Sequence, residues 1–106
     1  MEETGEKMKQ SSGKILKILE KNREILKQFG VQKLGLFGSA VRGEESADSD
    51  LDFLVEFEKK SFDRYMDLKF LLEELFQRPV DLVLADNLKP RLRPYILNEV
   101  IYAQGL

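Results

Sequence analysis

The stretch DLDFLVEF, residues 50–57, alternates strictly between two kinds of side chain. Leu51, Phe53, Val55 and Phe57 fall on one side, and Asp50, Asp52, Leu54 and Glu56 on the other. A period of two is the repeat of a β-strand, whose successive side chains point to opposite faces. The apolar face needs a core to bury it. The other face holds two aspartates roughly 6.5–7 Å apart along the backbone. At an effective dielectric near 20, two bare charges about 7 Å apart repel by roughly 2 kcal/mol. Either the pair belongs to a solvated acidic turn, or the carboxylates are held there to grip something positive.

The rest of the chain supplies elements for that core. KILKILEKNREILKQF (14–29) puts Ile15, Ile18, Leu19, Ile25, Leu26 and Phe29 at helical spacing, and Gly30 follows as a stop. KLGLFG (33–38) predicts a short strand. SFDRYMDLKFLLEELFQ (61–77) predicts an amphipathic helix with Ser61 as N-cap and Asp63 in its first turn. VDLVLA (80–85) predicts a third strand with Val80, Leu82 and Leu84 on one face, and Pro94 opens a last helix to about Ala103. Strands two and three are joined by a helix of crossover length and should run parallel, with strand one antiparallel to strand two. The expected fold is α/β (α+β): a small mixed three-stranded sheet flanked by helices, in the order α-β-(α)-β-α-β-α. Residues 14–106 form one domain after a polar, flexible lead-in over 1–13. Tyr65, Tyr95 and Tyr102 sit in apolar helical patterns and are expected to pack in the core or at its rim.

Composition narrows the chemistry. The 106 residues include no His and no Cys, which excludes His-dependent triads, thiol nucleophiles, disulfides and zinc-thiolate sites. Acid–base or metal chemistry must come from carboxylates, lysines or tyrosines. The net charge of −2 is unevenly spread: residues 1–33 carry eight bases against five acids, and residues 44–86 thirteen acids against five bases. With a pI near 5.3, direct binding of duplex nucleic acid is not expected. No apolar run approaches the ~20 residues of a membrane span, and no signal peptide is apparent, so a cytoplasmic location is expected.

Four groups of residues can be read together. Asp81 lies opposite the apolar face of the third strand, near its start; beside a parallel second strand it should converge on Asp50 and Asp52. Carboxylates gathered on one sheet face, with no His or Cys, suit a hard divalent cation, Mg²⁺ or Mn²⁺. Gly38 ends the first strand, and the Gly-Ser step allows backbone amides to approach an anion closely. Ser39 adds a hydroxyl and Arg42 a fixed charge, and phosphate is the anion this suits. Taken singly, each is bland: a DxD in an acidic chain is often a solvated pair, a Gly-Ser often a turn, and an Arg often a surface charge. Asp48, Asp86 and Lys59-Lys60 are read that way, and Glu44 and Glu45 are read as acids of the loop. The order Gly38-Ser39, ten residues, Asp50-x-Asp52, then Asp81 is what sets the group apart.

FGS-x-x-RGE followed by SDLDFLV resembles the DNA polymerase β-type nucleotidyltransferase superfamily, most closely its minimal nucleotidyltransferase (MNT) branch, and the likeness runs from about Leu16 to Tyr102. The resemblance implies a nucleotidyltransferase fold and a Mg²⁺-dependent enzyme that uses ATP. In this reading Asp50, Asp52 and Asp81 are metal ligands and catalytic carboxylates, Asp81 also helps activate the acceptor hydroxyl, and Gly38, Ser39 and Arg42 hold the triphosphate. It further implies an antitoxin that transfers AMP to a tyrosine of a HEPN-domain toxin, in a hetero-oligomer with it. The chain's shortness after its last helix fits an acceptor brought by a macromolecular partner. Two rival expectations stay open: a non-catalytic module that neutralises its partner by occlusion, and a nucleotidyltransferase acting on a small molecule.

Overall fold

Ile15 and Leu19, four residues apart, are fully buried and commit the first helix to the core. The computed structural model describes residues 12–44, 50–59 and 61–106. Helix α1 spans Ser12–Lys21, starting before the expected residue 14, and α2 spans Arg23–Gln28. The run over 14–29 is therefore two helices rather than one. Asn22 between them turns its side-chain amide back to donate to the Ile18 carbonyl at 2.8 Å, in competition with its own backbone N–H at 3.2 Å. A short polar side chain that bonds a nearby carbonyl in this way interrupts a helix. The expectations for residues 1–11, Glu45, Asp48 and Lys60 lie outside the described residues.

The sheet contains β1 (Val31–Phe37), β2 (Leu51–Phe57), β3 (Val80–Leu84) and β4 (Ile101–Tyr102), in the order β3-β2-β1-β4. As expected, β1 and β2 are antiparallel, with the short helix α3 (Ser39–Arg42) between them in the chain. Strands β2 and β3 are parallel and joined by α4 (Phe62–Phe76). Ser61 caps α4 from an extended conformation, its hydroxyl accepting from the Arg64 N–H at 3.4 Å. A register shift between Val31 and Lys33 keeps Val31 in the same buried cluster as Leu34 and Leu36.

Alternation divides the sheet into two faces. Leu51, Phe53, Val55 and Phe57 are all buried, in one cluster with Ile15 and Leu19 of α1 and Leu68, Leu72 and Phe76 of α4. The Phe53 and Phe76 rings stack with centroids 5.7 Å apart. On the opposite face Leu54 is buried with Phe37 and Ala85, and Ile96 and Val100 pack against them. Helix α5 (Arg93–Glu99) supplies that second cover, beside the part of the sheet that carries Asp52.

The chain's last segment departs from expectation. Helix α5 stops at Glu99; Val100 is extended (φ −65°, ψ 139°), and Ile101 and Tyr102 pair with Leu36 and Gly35 as a fourth strand. The free edge of β1 has N–H and C=O groups to satisfy, and the Ala103 N–H donates to the Leu34 carbonyl at 2.9 Å. Gly35 makes the approach possible: a Cβ there would stand 2.6 Å from Val100 Cγ2 and 3.0 Å from the Ile101 carbonyl oxygen. Tyr95, expected to pack, is instead 75% exposed, because α5 has no buried residue of its own. Tyr65 meets expectation, its hydroxyl donating to the Leu82 carbonyl at 2.6 Å. Tyr102 is half-buried, with the Lys33 ammonium 5.4 Å from its ring centroid.

Gly35→Val should cost about 1–3 kcal/mol through overpacking and should release β4 before the main core unfolds. Urea denaturation gives the cost, and faster hydrogen exchange at the Ala103 amide, with Leu72 still protected, would report the local release.

Candidate active site

The parallel ladder sets the centre of the site. In its register Asp52 of β2 lies directly beside Asp81 of β3, and on its other side Asp52 is opposite Phe37, the last residue of β1. Adjacent strands are about 4.8 Å apart, so the Asp52 and Asp81 side chains leave the same face of the sheet as neighbours. Asp50 is exposed and stands just before β2, whose ladder begins at Leu51. The sequence expectation that all three converge is met for Asp52 and Asp81 in register, with Asp50 at the rim. Among the described residues no group of three or more acidic side chains is gathered closely enough to hold a metal ion by itself.

The Gly38 backbone packs against the Asp52 side chain. It follows β1 with φ 85° and ψ −153°, a conformation open to glycine and costly for other residues. A Cβ there would collide with the Asp52 carboxylate. Two independent constraints therefore require glycine at this position. Ser39 begins α3 directly after it, and Arg42 ends that helix. Gly-Ser and the aspartates are thus brought together as the sequence suggests, by the end of β1 lying opposite the start of β2.

Arg42 does not stand alone. Its Nε donates to Glu44 at 3.0 Å and its Nη1 to Glu99 at 2.9 Å. Both carboxylates keep the guanidinium more firmly protonated, Glu44 contributing most. Glu99 was not singled out from the sequence. Its other oxygen accepts the Gly38 N–H at 2.7 Å, across a separation of 61 residues. No local spacing could reveal that contact; the only hint was an acidic residue at the end of the last helical pattern. Glu44, read as a plain loop acid, is likewise an ion-pair partner.

These charges act on Asp52. Burial raises its pKa most, the neighbouring charges of Asp81 and Asp50 raise it further, and Glu99 adds to them. Arg42 opposes the rise, and the net effect pushes the group from 3.8 up to about 6. A half-buried carboxylate between like charges is a place where a cation would be favoured. Oxygen donors alone suit a hard divalent ion.

The sign of the pH effect follows. The folded pKa lies above the unfolded one, so the folded chain binds more protons between about pH 4 and 6, and ionised Asp52 subtracts from stability above that window. Asp52→Asn should therefore stabilise the metal-free protein by about 1–2 kcal/mol near pH 7.5, a figure discounted for the partly solvated position. The gain should disappear below about pH 4, where the wild-type carboxyl is neutral in both states. Urea denaturation with chelator at the two pH values tests this.

Residues 15–103 match the nucleotidyltransferase domain family. The chain is 43% identical over 81 residues to the protein adenylyltransferase MntA of Thermococcus cleftensis, covering 76% of this chain and 82% of that one. A solved chain described as a candidate minimal nucleotidyltransferase is 40% identical, with a TM-score of 0.68 over 81% of this chain and 93% of that one. The fold is also shared, at 19% identity and a TM-score of 0.62, with a chain from the complex of tri-AMPylated Shewanella oneidensis HEPN toxin and MNT antitoxin; 87% of this chain and 73% of that one are covered. A match that spans most of the chain, well beyond the acidic motif, makes this protein a nucleotidyltransferase of the minimal, MntA-type branch.

Proposed function

We propose that this chain is a Mg²⁺-dependent adenylyltransferase that moves AMP from ATP to a HEPN-domain toxin and so serves as its antitoxin. The observation that carries this reading is the placement of Asp52 beside Asp81 in register, with the Gly38 backbone packed against the Asp52 carboxylate. The 43% identity to a protein adenylyltransferase supports the type of reaction. The shared fold with an antitoxin bound to an AMPylated HEPN toxin supports the partner. No helix among the described residues is long and apolar enough to cross a membrane, and the cytoplasm, where ATP is abundant, is the compartment we assign.

In this reading Asp50, Asp52 and Asp81 hold the metal, with Mn²⁺ an alternative to Mg²⁺. Gly38 and Ser39 receive the triphosphate, and Arg42 balances its charge. The bound cation would supply charge neutralisation on the triphosphate and ease ionisation of the acceptor hydroxyl. The protein's own residues do the rest. The turn at Gly38 would present the triphosphate beside Asp52, and Asp81, in register with Asp52, is the carboxylate we assign to the acceptor's proton. The tyrosine oxygen of the partner bonds to the α-phosphorus, the bond from that phosphorus to the bridging oxygen breaks, and pyrophosphate departs. The hydroxyl proton passes to a carboxylate, for which Asp81 is our candidate. Ionised Asp52 beside Asp81 adds nothing to the stability of the free protein, where burial first and the neighbouring charges second raise its pKa.

Incubation with ATP labelled at the α-phosphorus, Mg²⁺ and the product of the neighbouring gene should transfer label to that product. Asp50→Asn with Asp52→Asn should lower labelling by at least about a hundredfold. Equal labelling by the double variant would refute the assigned site. Full protection of cells by a double variant that no longer labels would instead identify neutralisation by occlusion.

A further inference from the structure

Glu99 is the one charged residue that ties the last helix to the Gly38 turn among the described residues, and no motif assigns it a role. It closes α5, which lies on the Asp52 face of the sheet and is anchored there through Ile96 and Val100. Its two carboxylate oxygens go to different groups: Oε2 accepts the Gly38 N–H at 2.7 Å and Oε1 accepts Arg42 Nη1 at 2.9 Å. Gly38 is thus held on two sides, by Glu99 at its N–H and by the Asp52 carboxylate against its Cα. Arg42 is held at Nε by Glu44 and at Nη1 by Glu99. Two fixed nitrogens define the plane of a guanidinium, which still has further N–H donors for an anion.

We propose that Glu99 is a positioning residue for the nucleotide: it clamps the Gly38 amide and the Arg42 guanidinium together and so sets the spacing between the turn and the cation that the triphosphate meets. This rests on the reading that Gly38, Ser39 and Arg42 receive a triphosphate. Glu99 adds a further negative charge near Asp52, and its contacts to Gly38 and Arg42 offset that cost. The opposite role, in which Glu99 occupies the place of a phosphate and must leave, predicts an effect of opposite sign. The two-group clamp, which leaves Arg42 with donors to spare, favours positioning.

The test compares wild type, Glu99→Ala and Glu99→Gln, with melting curves used to choose a temperature at which each is folded. Equilibrium binding of a fluorescent ATP analogue with Mg²⁺, steady-state labelling of the partner protein and hydrogen exchange at the Gly38 amide are measured on each. Positioning predicts a Kd and KM for nucleotide about tenfold higher in Glu99→Ala, with kcat within about threefold of wild type, since Asp50, Asp52 and Asp81 are untouched. Glu99→Gln keeps an oxygen for the Gly38 N–H and loses the charge facing Arg42. It should show slow Gly38 exchange and an intermediate Kd, a partial rescue that a purely structural role would not produce. Unchanged Kd in both folded variants overturns the proposal, and tighter binding in Glu99→Ala overturns it in favour of displacement. Should Glu99→Ala fail to fold, Glu99→Gln decides alone: a raised Kd supports the clamp and a wild-type Kd refutes it. Wild-type protein that binds no nucleotide would refute the underlying reading of the site, whereas wild-type binding with unaltered variants refutes the clamp alone.

Discussion

Parallel pairing of β2 with β3 is the constraint on which the site depends. It places Asp52 beside Asp81, and the hydrophobic face beneath keeps it there. Because side chains alternate with a period of two, a slip of one residue would turn Asp52 into the core and Leu51 or Phe53 out of it. Burial of Leu51, Phe53 and Val55 therefore specifies the register, and the register specifies the distance between the carboxylates. The apolar residues on one face of the strand hold the aspartates on the other in place.

The electrostatics work against the free protein. Asp52 is half-buried beside Asp81, close to Asp50 and Glu99, and its raised pKa reflects that crowding. Among the described residues Arg42 opposes it, and Arg42 is itself engaged by Glu44 and Glu99. Such an arrangement is a poor choice for stability and a sound one for receiving a cation with a polyphosphate, whose charges complement each other and the site. Local cost at a functional site, offset by a well-packed core elsewhere, is a recurring pattern in folded proteins. Here the offset comes from the face shared with α1 and α4, where Phe53 stacks on Phe76.

Much of this was legible in the chain before any coordinates. Strict alternation over 50–57 identified β2 and assigned its faces, and the helical spacing over 61–77 identified α4, including the cap at Ser61. Parallel pairing followed from the length of that helix, and the approach of Asp81 and Gly38 to Asp52 followed from the strand order and spacing. The misses share a cause. Asn22 divides the first helix through a side-chain hydrogen bond that periodicity does not register. Ile101 and Tyr102 leave their helical pattern because β1 has an unpaired edge and Gly35 leaves room beside it. Each depends on a competing hydrogen bond or a distant neighbour rather than on local apolar spacing.

What the amino-acid sequence determined by itself is the set of local commitments: which segments alternate, which face of β2 must be buried, and that any acid or metal chemistry rests on carboxylates. Only the tertiary structure decided which charges act as a unit. Glu99 is 61 residues from Gly38, and nothing short-range joins them. Once α5 lies across the second face of the sheet, one carboxylate spans the Gly38 amide and Arg42, which in turn bears on Asp52. The physical reason is range: backbone periodicity acts over a few residues, whereas charge acts through space at distances that only the packed fold defines.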